Sequence, residues 1–143
     1  MKLTANCLFT DRPNANGIMY DKESLMRAVE EYNNSDKPKL GCMGQPTFTE
    51  LDFTRVSHKV NEIKVNGDCV TVNLSPFLGL PQQQGELLTE LINGGVKLTI
   101  NPKIIGEVDD NGYAQIKSVI GFDISCPSIE EEVVTDNIIG VVE

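Results

Sequence analysis

The sequence predicts an α+β fold rich in β structure, and its inventory of about six or seven strands and two helices fits a strongly curved antiparallel sheet or small barrel with the helices packed outside. Three observations predict it. Most periodic segments alternate apolar and polar residues with period two and are bounded by turn clusters. Only two stretches, around Leu25 and around Leu88, repeat apolar residues at helical spacing. Two turn signals, Asn66-Gly67 and Asp109-Asp110-Asn111-Gly112, join neighbouring strand patterns as hairpins.

Taken in order, Lys2 to Phe9 reads as a strand ended by the turn cluster Asp11-Arg12-Pro13-Asn14. Asp21 then caps a helix in which Leu25, Met26, Val29 and Tyr32 form an apolar stripe, while Glu23, Arg27, Glu30 and Glu31 face water; Asn33-Asn34-Ser35-Asp36 ends it. Phe53 to Val65 reads as a long strand. Val56, His58 and Val60 share one face, and Ile63 and Val65 fall out of phase with them, so a bulge is expected near Asn61-Glu62. After the Asn66-Gly67 turn, the return strand places Val70, Val72 and Leu74 on one face and Cys69, Thr71 and Asn73 on the other. Gln82 to Ile92 reads as the second helix, closed by Gly94-Gly95, where glycine accommodates a left-handed cap. A strand from Val96 to Val108 and its partner from Ala114 to Ile124 complete the body.

Length and composition narrow the function classes. At 143 residues, with 40% hydrophobic and 23% charged content, the chain suits one globular domain with a real core. The net charge of −9, from 21 acidic and 12 basic residues, argues against nucleic acid as a partner, because counterion release requires clustered Lys and Arg. No apolar run reaches the ~20 residues of a spanning helix, so no membrane role is expected. Met1-Lys2-Leu3-Thr4-Ala5-Asn6 lacks a signal-peptide core. Cys7, Cys42, Cys69 and Cys126 are widely spaced and contain no Cys-x-x-Cys pair, and the chain has one histidine; four reduced, mostly buried thiols are expected, with no metal site and no cofactor.

The domain is read as residues 1–129 and the tail as 130–143. In the tail, Glu130-Glu131-Glu132 reads as a solvated acidic run, followed by the β-branched positions Val133, Val134, Ile138, Ile139, Val141 and Val142. Those apolar side chains need cover, either from the domain's own sheet edge or from a partner by strand addition, which makes them candidate partner-binding residues. His58, the one histidine, is the residue a general base would have to use; on a strand between Val56 and Val60 it reads as a hydrogen-bonded structural histidine. Ser125, Cys126 and Ser128 lie close together, with nothing in their spacing that marks an activated nucleophile.

Several stretches, in order, resemble the prohead (capsid maturation) proteases of tailed phages. Asn14-Ala15-Asn16-Gly17-Ile18-Met19-Tyr20, followed by Leu25, Ala28 and Val29, is similar to that family's Asn-rich turn and first helix. Pro81 to Gly85 with Leu87-Leu88 and Leu91-Ile92 resembles its Pro-x-x-Gly helix. Gly95-Val96-Lys97-Leu98-Thr99-Ile100-Asn101-Pro102-Lys103-Ile104-Ile105-Gly106 resembles its serine strand, Gly-Val-x-Leu-Gly-Val-Ser-Ser-Arg-Gly-Leu-Gly, and Gly121-Phe122-Asp123-Ile124 with Pro127-Ser128 matches its closing Gly-x-Asp-x-x-x-Pro-Ser. Together the matches run from Asn14 to Ser128.

The resemblance implies a herpesvirus-assemblin-like fold, and it also implies lost chemistry. Asn101 stands where the family has its nucleophilic serine, and Gln45, in Gly41-Cys42-Met43-Gly44-Gln45-Pro46, stands where a Gly-Glu-Leu-x-His-Pro turn supplies the histidine base. Neither amide can replace the group it stands for. Asp123 matches the family's aspartate and reads as a residual structural carboxylate, bonded to backbone N–H groups around Asn101. Lys103 replaces an arginine, and Pro102 removes a backbone N–H where an oxyanion hole would draw one. The role implied is a non-catalytic structural protein of the virion capsid, assembled in the host cytoplasm: a minor capsid, decoration or cement protein bound to the major capsid protein, with self-association also open. An internal prohead core or scaffold protein, or an active protease with relocated catalytic residues, are the alternatives. The final Val141-Val142-Glu143 fits the short pattern, an aliphatic residue two positions before glutamate, after which proteases of the T-even type cut; processing by an active relative stands beside the plainer reading that the gene ends there.

Overall fold

Residues 1–14, 16–44, 54–79, 84–126 and 139–142 are described by a computed structural model of the chain. Among them the elements run β1 (Lys2–Phe9), β2 (Met19–Tyr20), α1 (Lys22–Asn34), β3 (Leu40–Cys42), β4 (Val56–Asn66), β5 (Cys69–Pro76), α2 (Gln84–Asn93), β6 (Thr99–Val108), β7 (Tyr113–Ser125) and β8 (Gly140–Val142). The α+β class holds, with its strands divided between a five-stranded sheet, β3-β4-β5-β1-β8, and a three-stranded sheet, β2-β7-β6. The barrel expected as one option does not close among the described residues. Between β3 of the first sheet and β7 of the second there is only an isolated parallel bridge, Met43 to Ile124, in place of a continuous ladder.

Each strand takes the face its alternation dictates. Along β5, Val70, Val72, Leu74 and Pro76 are buried while Cys69, Thr71, Asn73 and Ser75 are partly exposed. The expected bulge in β4 is present: the register with β5 shifts between Val60 and Glu62, which lets Val60 and Ile63 both point inward. The β4–β5 loop is Gly67-Asp68, one residue later than the dipeptide signal indicated, because Asn66 pairs with Cys69 and Gly67 takes φ +63°. Strand β6 starts at Thr99 rather than Val96, since Val96 N–H instead closes α2 by donating to Leu91 O at 2.9 Å; Gly95 N–H donates to Ile92 O at 3.0 Å, with Gly95 at φ +83°.

Helix α1 is capped by Asp21, whose carboxylate accepts from Ser24 N–H at 2.9 Å. Its buried stripe is Leu25, Ala28, Val29 and Tyr32, at i, i+3, i+4 and i+7; Met26, expected in that stripe, is exposed, because one residue's step turns it about 100° away from Leu25 on the helix. These side chains join Leu3, Val72, Leu74, Leu88, Ile100, Ile116, Phe122 and Ile124 in one core, where Tyr32 meets Phe122 edge-on at 5.9 Å between centroids.

Candidate functional site

His58, Asn101, Lys103 and Asp123, all singled out by the sequence, lie along the seam where β3 and β4 face β7 and along the adjoining β6–β7 pair. At the seam, Gly44 N–H donates to Ile124 O at 2.7 Å and Cys42 N–H donates to Asp123 Oδ1 at 3.0 Å. His58 Nε2 lies 2.7 Å from Phe122 O. Gly41 makes this approach feasible, since a Cβ there would overlap both the His58 ring and the Phe122 carbonyl.

Those contacts determine the state of His58. A carbonyl only accepts, so Nε2 carries the proton, and Nδ1 accepts from the Ser57 hydroxyl at 2.7 Å. Burial pushes the imidazole pKa down to about 4, against a partial counter-effect from the Phe122 carbonyl and the charge of Asp123. The ring is therefore neutral at pH 7. Ser57 and His58 form a hydroxyl–imidazole pair at the distance a nucleophile and base would need, yet both residues are 0% exposed. A peptide substrate cannot reach either. The expected half-buried face of His58 is thus fully buried, because β3 and β7 both close over it.

On the β6–β7 pair, the registers Thr99 to Ser125, Asn101 to Asp123 and Lys103 to Gly121 put the polar side chains of alternate residues on one face. Asn101 Nδ2 donates to Ser125 Oγ at 2.6 Å, and Thr99 Oγ1 donates to Ser125 O at 3.3 Å. Lys103 Nζ sits 2.7 Å from Asp123 Oδ2, with side chains only 16% and 4% exposed. Asp123 is buried, as a structural carboxylate would be. Its backbone donor is Cys42 of β3, however, and not a group near Asn101, because the carboxylate points across the seam. Among the described residues this carboxylate is held by the Lys103 ammonium and the Cys42 N–H, which makes it a tether between strands.

The sequence pattern therefore brought Asn101, Lys103 and Asp123 correctly to one place. It missed Ser125 as the partner of Asn101 and Cys42 as the donor to Asp123, because contacts between residues 24 and 81 positions apart in the chain leave no local signal. Gln45 lies outside the described residues, as do Val133, Val134 and Ile138. Ile139 is buried and its N–H donates to Leu98 O at 2.9 Å, while Val141 and Val142 pair with Leu3 and Lys2 of β1 and leave their side chains exposed. Of the four cysteines, only Cys7 and Cys42 are buried; Cys69 is partly exposed and Cys126 exposed, because Cys69 sits on the outer face of β5 and Cys126 follows β7. Among the described residues, no three of His, Cys, Asp and Glu gather as a metal site, and no helix is long and apolar enough to cross a membrane.

With this geometry in place, the fold has a counterpart among solved structures. The capsid assembly protease of bacteriophage T4 matches it with a TM-score of 0.76, over 89% of this chain and 82% of that one, at 20% sequence identity. The chain has a prohead-protease-like fold. No protein-family model matches the sequence, and no curated protein does. The fold is shared at an identity too low to carry activity with it, so the residues at the seam have to be read on their own chemistry.

Proposed function

We propose that this protein is a non-catalytic structural component of a phage capsid, a minor capsid, decoration or cement protein that binds the major capsid protein through a prohead-protease-like fold. The observation that carries the reading is the state of the β6–β7 face. Asn101, at the position of the nucleophile in the resembled pattern, spends its amide on Ser125, while the chain's one histidine is buried with both ring nitrogens engaged. Nucleophile and base act as a unit, so loss of either removes most of the rate enhancement. The fold shared with a capsid assembly protease supports the capsid context, since a surface that holds capsid segments for cleavage still binds them when the chemistry is gone. The net charge of −9 favours a position away from packaged DNA, on the exterior of the shell.

Quantifying the protein in purified mature virions tests the role. A fixed copy number per major capsid protein supports it; presence in proheads and absence from mature particles would move the assignment to an internal core protein. In parallel, a fluorophosphonate or thiol-reactive activity probe should label no residue of the native protein stoichiometrically. Native labelling of one serine or cysteine, lost in His58→Ala, would mean an active protease.

A further inference from the structure

The chain contains four Asn-Gly pairs, Asn16-Gly17, Asn66-Gly67, Asn93-Gly94 and Asn111-Gly112. In such a pair the glycine has no side chain to keep its backbone nitrogen from the preceding Asn Cγ. The nitrogen, once it loses its proton to a base in solution, attacks Cγ; the new C–N bond closes a cyclic imide and the side-chain amide leaves as ammonia. Water then opens the imide at one of its two carbonyls, giving aspartate or isoaspartate, and no oxidant or reductant takes part. An N–H already held in a hydrogen bond must first be released.

Three of the four glycines are held in this way. Gly17 N–H donates to Asn14 O at 2.9 Å, Gly94 N–H to Glu90 O at 2.9 Å, and Gly112 N–H to Asp109 O at 3.1 Å. Gly67 N–H has no acceptor among the described residues; it lies in the exposed two-residue loop, with φ +63° and open space where a side chain would be. We propose that Asn66 is a site of selective, enzyme-independent deamidation in the folded protein, chosen among four chemically equivalent pairs by the free N–H of Gly67.

The modification has a structural consequence. Asn66 pairs with Cys69 at the end of the β4–β5 ladder, and isoaspartate would route the main chain through an extra carbon there and break that pair. The new carboxylate also arrives two residues before Asp68, which binds Lys22 Nζ at 3.1 Å and the Thr10 hydroxyl at 3.0 Å and so ties the loop to the start of α1 and the end of β1. It adds one negative charge to a chain already at −9.

The test is to incubate the full chain in mildly alkaline buffer, folded and, in parallel, unfolded in urea, and to follow each Asn-Gly peptide by mass spectrometry. Unfolded, the four sites should react at similar rates. Folded, Asn16, Asn93 and Asn111 should be slower than Asn66 by roughly two- to tenfold, the factor that one backbone hydrogen bond provides. Equal rates in the folded protein, or another site leading, would overturn the assignment. Isoelectric focusing of Asn66→Gln gives a second readout: the first acidic species to accumulate in the wild type should be missing, and its persistence would place the reaction elsewhere.

Discussion

His58 is neutral in the folded protein because it is buried, and in the unfolded chain it regains an ordinary pKa near 6.5. Between pH 6.5 and about 4 the unfolded state therefore binds more protons at this site, so the stability His58 contributes is complete above pH 6.5 and is lost as pH falls toward 4. The loss from this residue should reach about 2 kcal/mol between pH 7 and pH 5. Urea unfolding of wild type and His58→Gln at the two pH values isolates it from the carboxylates; an identical pH dependence in the two proteins would refute the depressed pKa. His58→Ala should cost about 2–4 kcal/mol at pH 7, since it leaves the Phe122 carbonyl and Ser57 hydroxyl without their partner and opens a cavity. Introducing the two catalytic residues of the resembled pattern is a different matter. Gln45→His with Asn101→Ser should yield no specific cleavage of capsid protein, because Pro102 still lacks an N–H, Lys103 is committed to Asp123, and electrostatic preorganisation supplies most of such a rate. Cleavage by the double variant would show that the rest of the catalytic frame is intact.

At the scale of elements, the sequence was legible wherever a segment is long enough to show a period. The bounds of β1, the Asp21 cap of α1, the bulge in β4 and the alternation of β5 were all readable, since eight or more residues repeat one pattern against one core. Strands β2 and β3 were not, because two or three residues carry no period and exist only through their partners on β7 and β4, whereas the β-branched tail did mark β8, which takes the domain's own sheet edge beside β1. The same limit hid the division into two sheets, and with it the seam that buries His58 and Asp123. Helix α1 holds a further contact of this kind. Ser24 Oγ donates to Asp21 O at 3.2 Å and accepts Ile116 N–H at 2.9 Å, so a residue in the first turn of α1 also docks the helix onto β7. Ser24→Ala should then lower stability by about 1–3 kcal/mol, as the price of leaving a buried N–H unpaired. Asp21→Ala, which removes only the cap, should cost about 1 kcal/mol. A lower denaturant midpoint at unchanged slope is the expected signature; no loss in Ser24→Ala would mean that the Ile116 N–H finds another acceptor.

For the whole molecule, β8 covers one edge of the larger sheet. Strand β8 occupies the edge beside Lys2–Thr4 of β1, so the strand addition expected from the β-branched tail is made, over Gly140–Val142, by the chain itself. A capsid partner that pairs with this sheet would then meet β8, whose Val141 and Val142 side chains are 46% and 45% exposed, and not β1. Ile139 anchors the arrangement, 8% exposed and bonded to Leu98 O through its N–H. A chain shortened to end before Ile139 should lose about 2–3 kcal/mol from that burial, and it should also expose unpaired groups of β1 as a template for a second copy. The two effects separate in Ile139→Ala at full length, which removes most of the side chain but keeps the backbone pairing of β8, and so should be destabilised without associating. Sedimentation velocity and urea unfolding of both proteins check this. If the shortened chain stays monomeric and as stable as wild type, β8 contributes nothing to the sheet; if Ile139→Ala associates as readily as the truncation, the anchor and not the covered edge controls assembly.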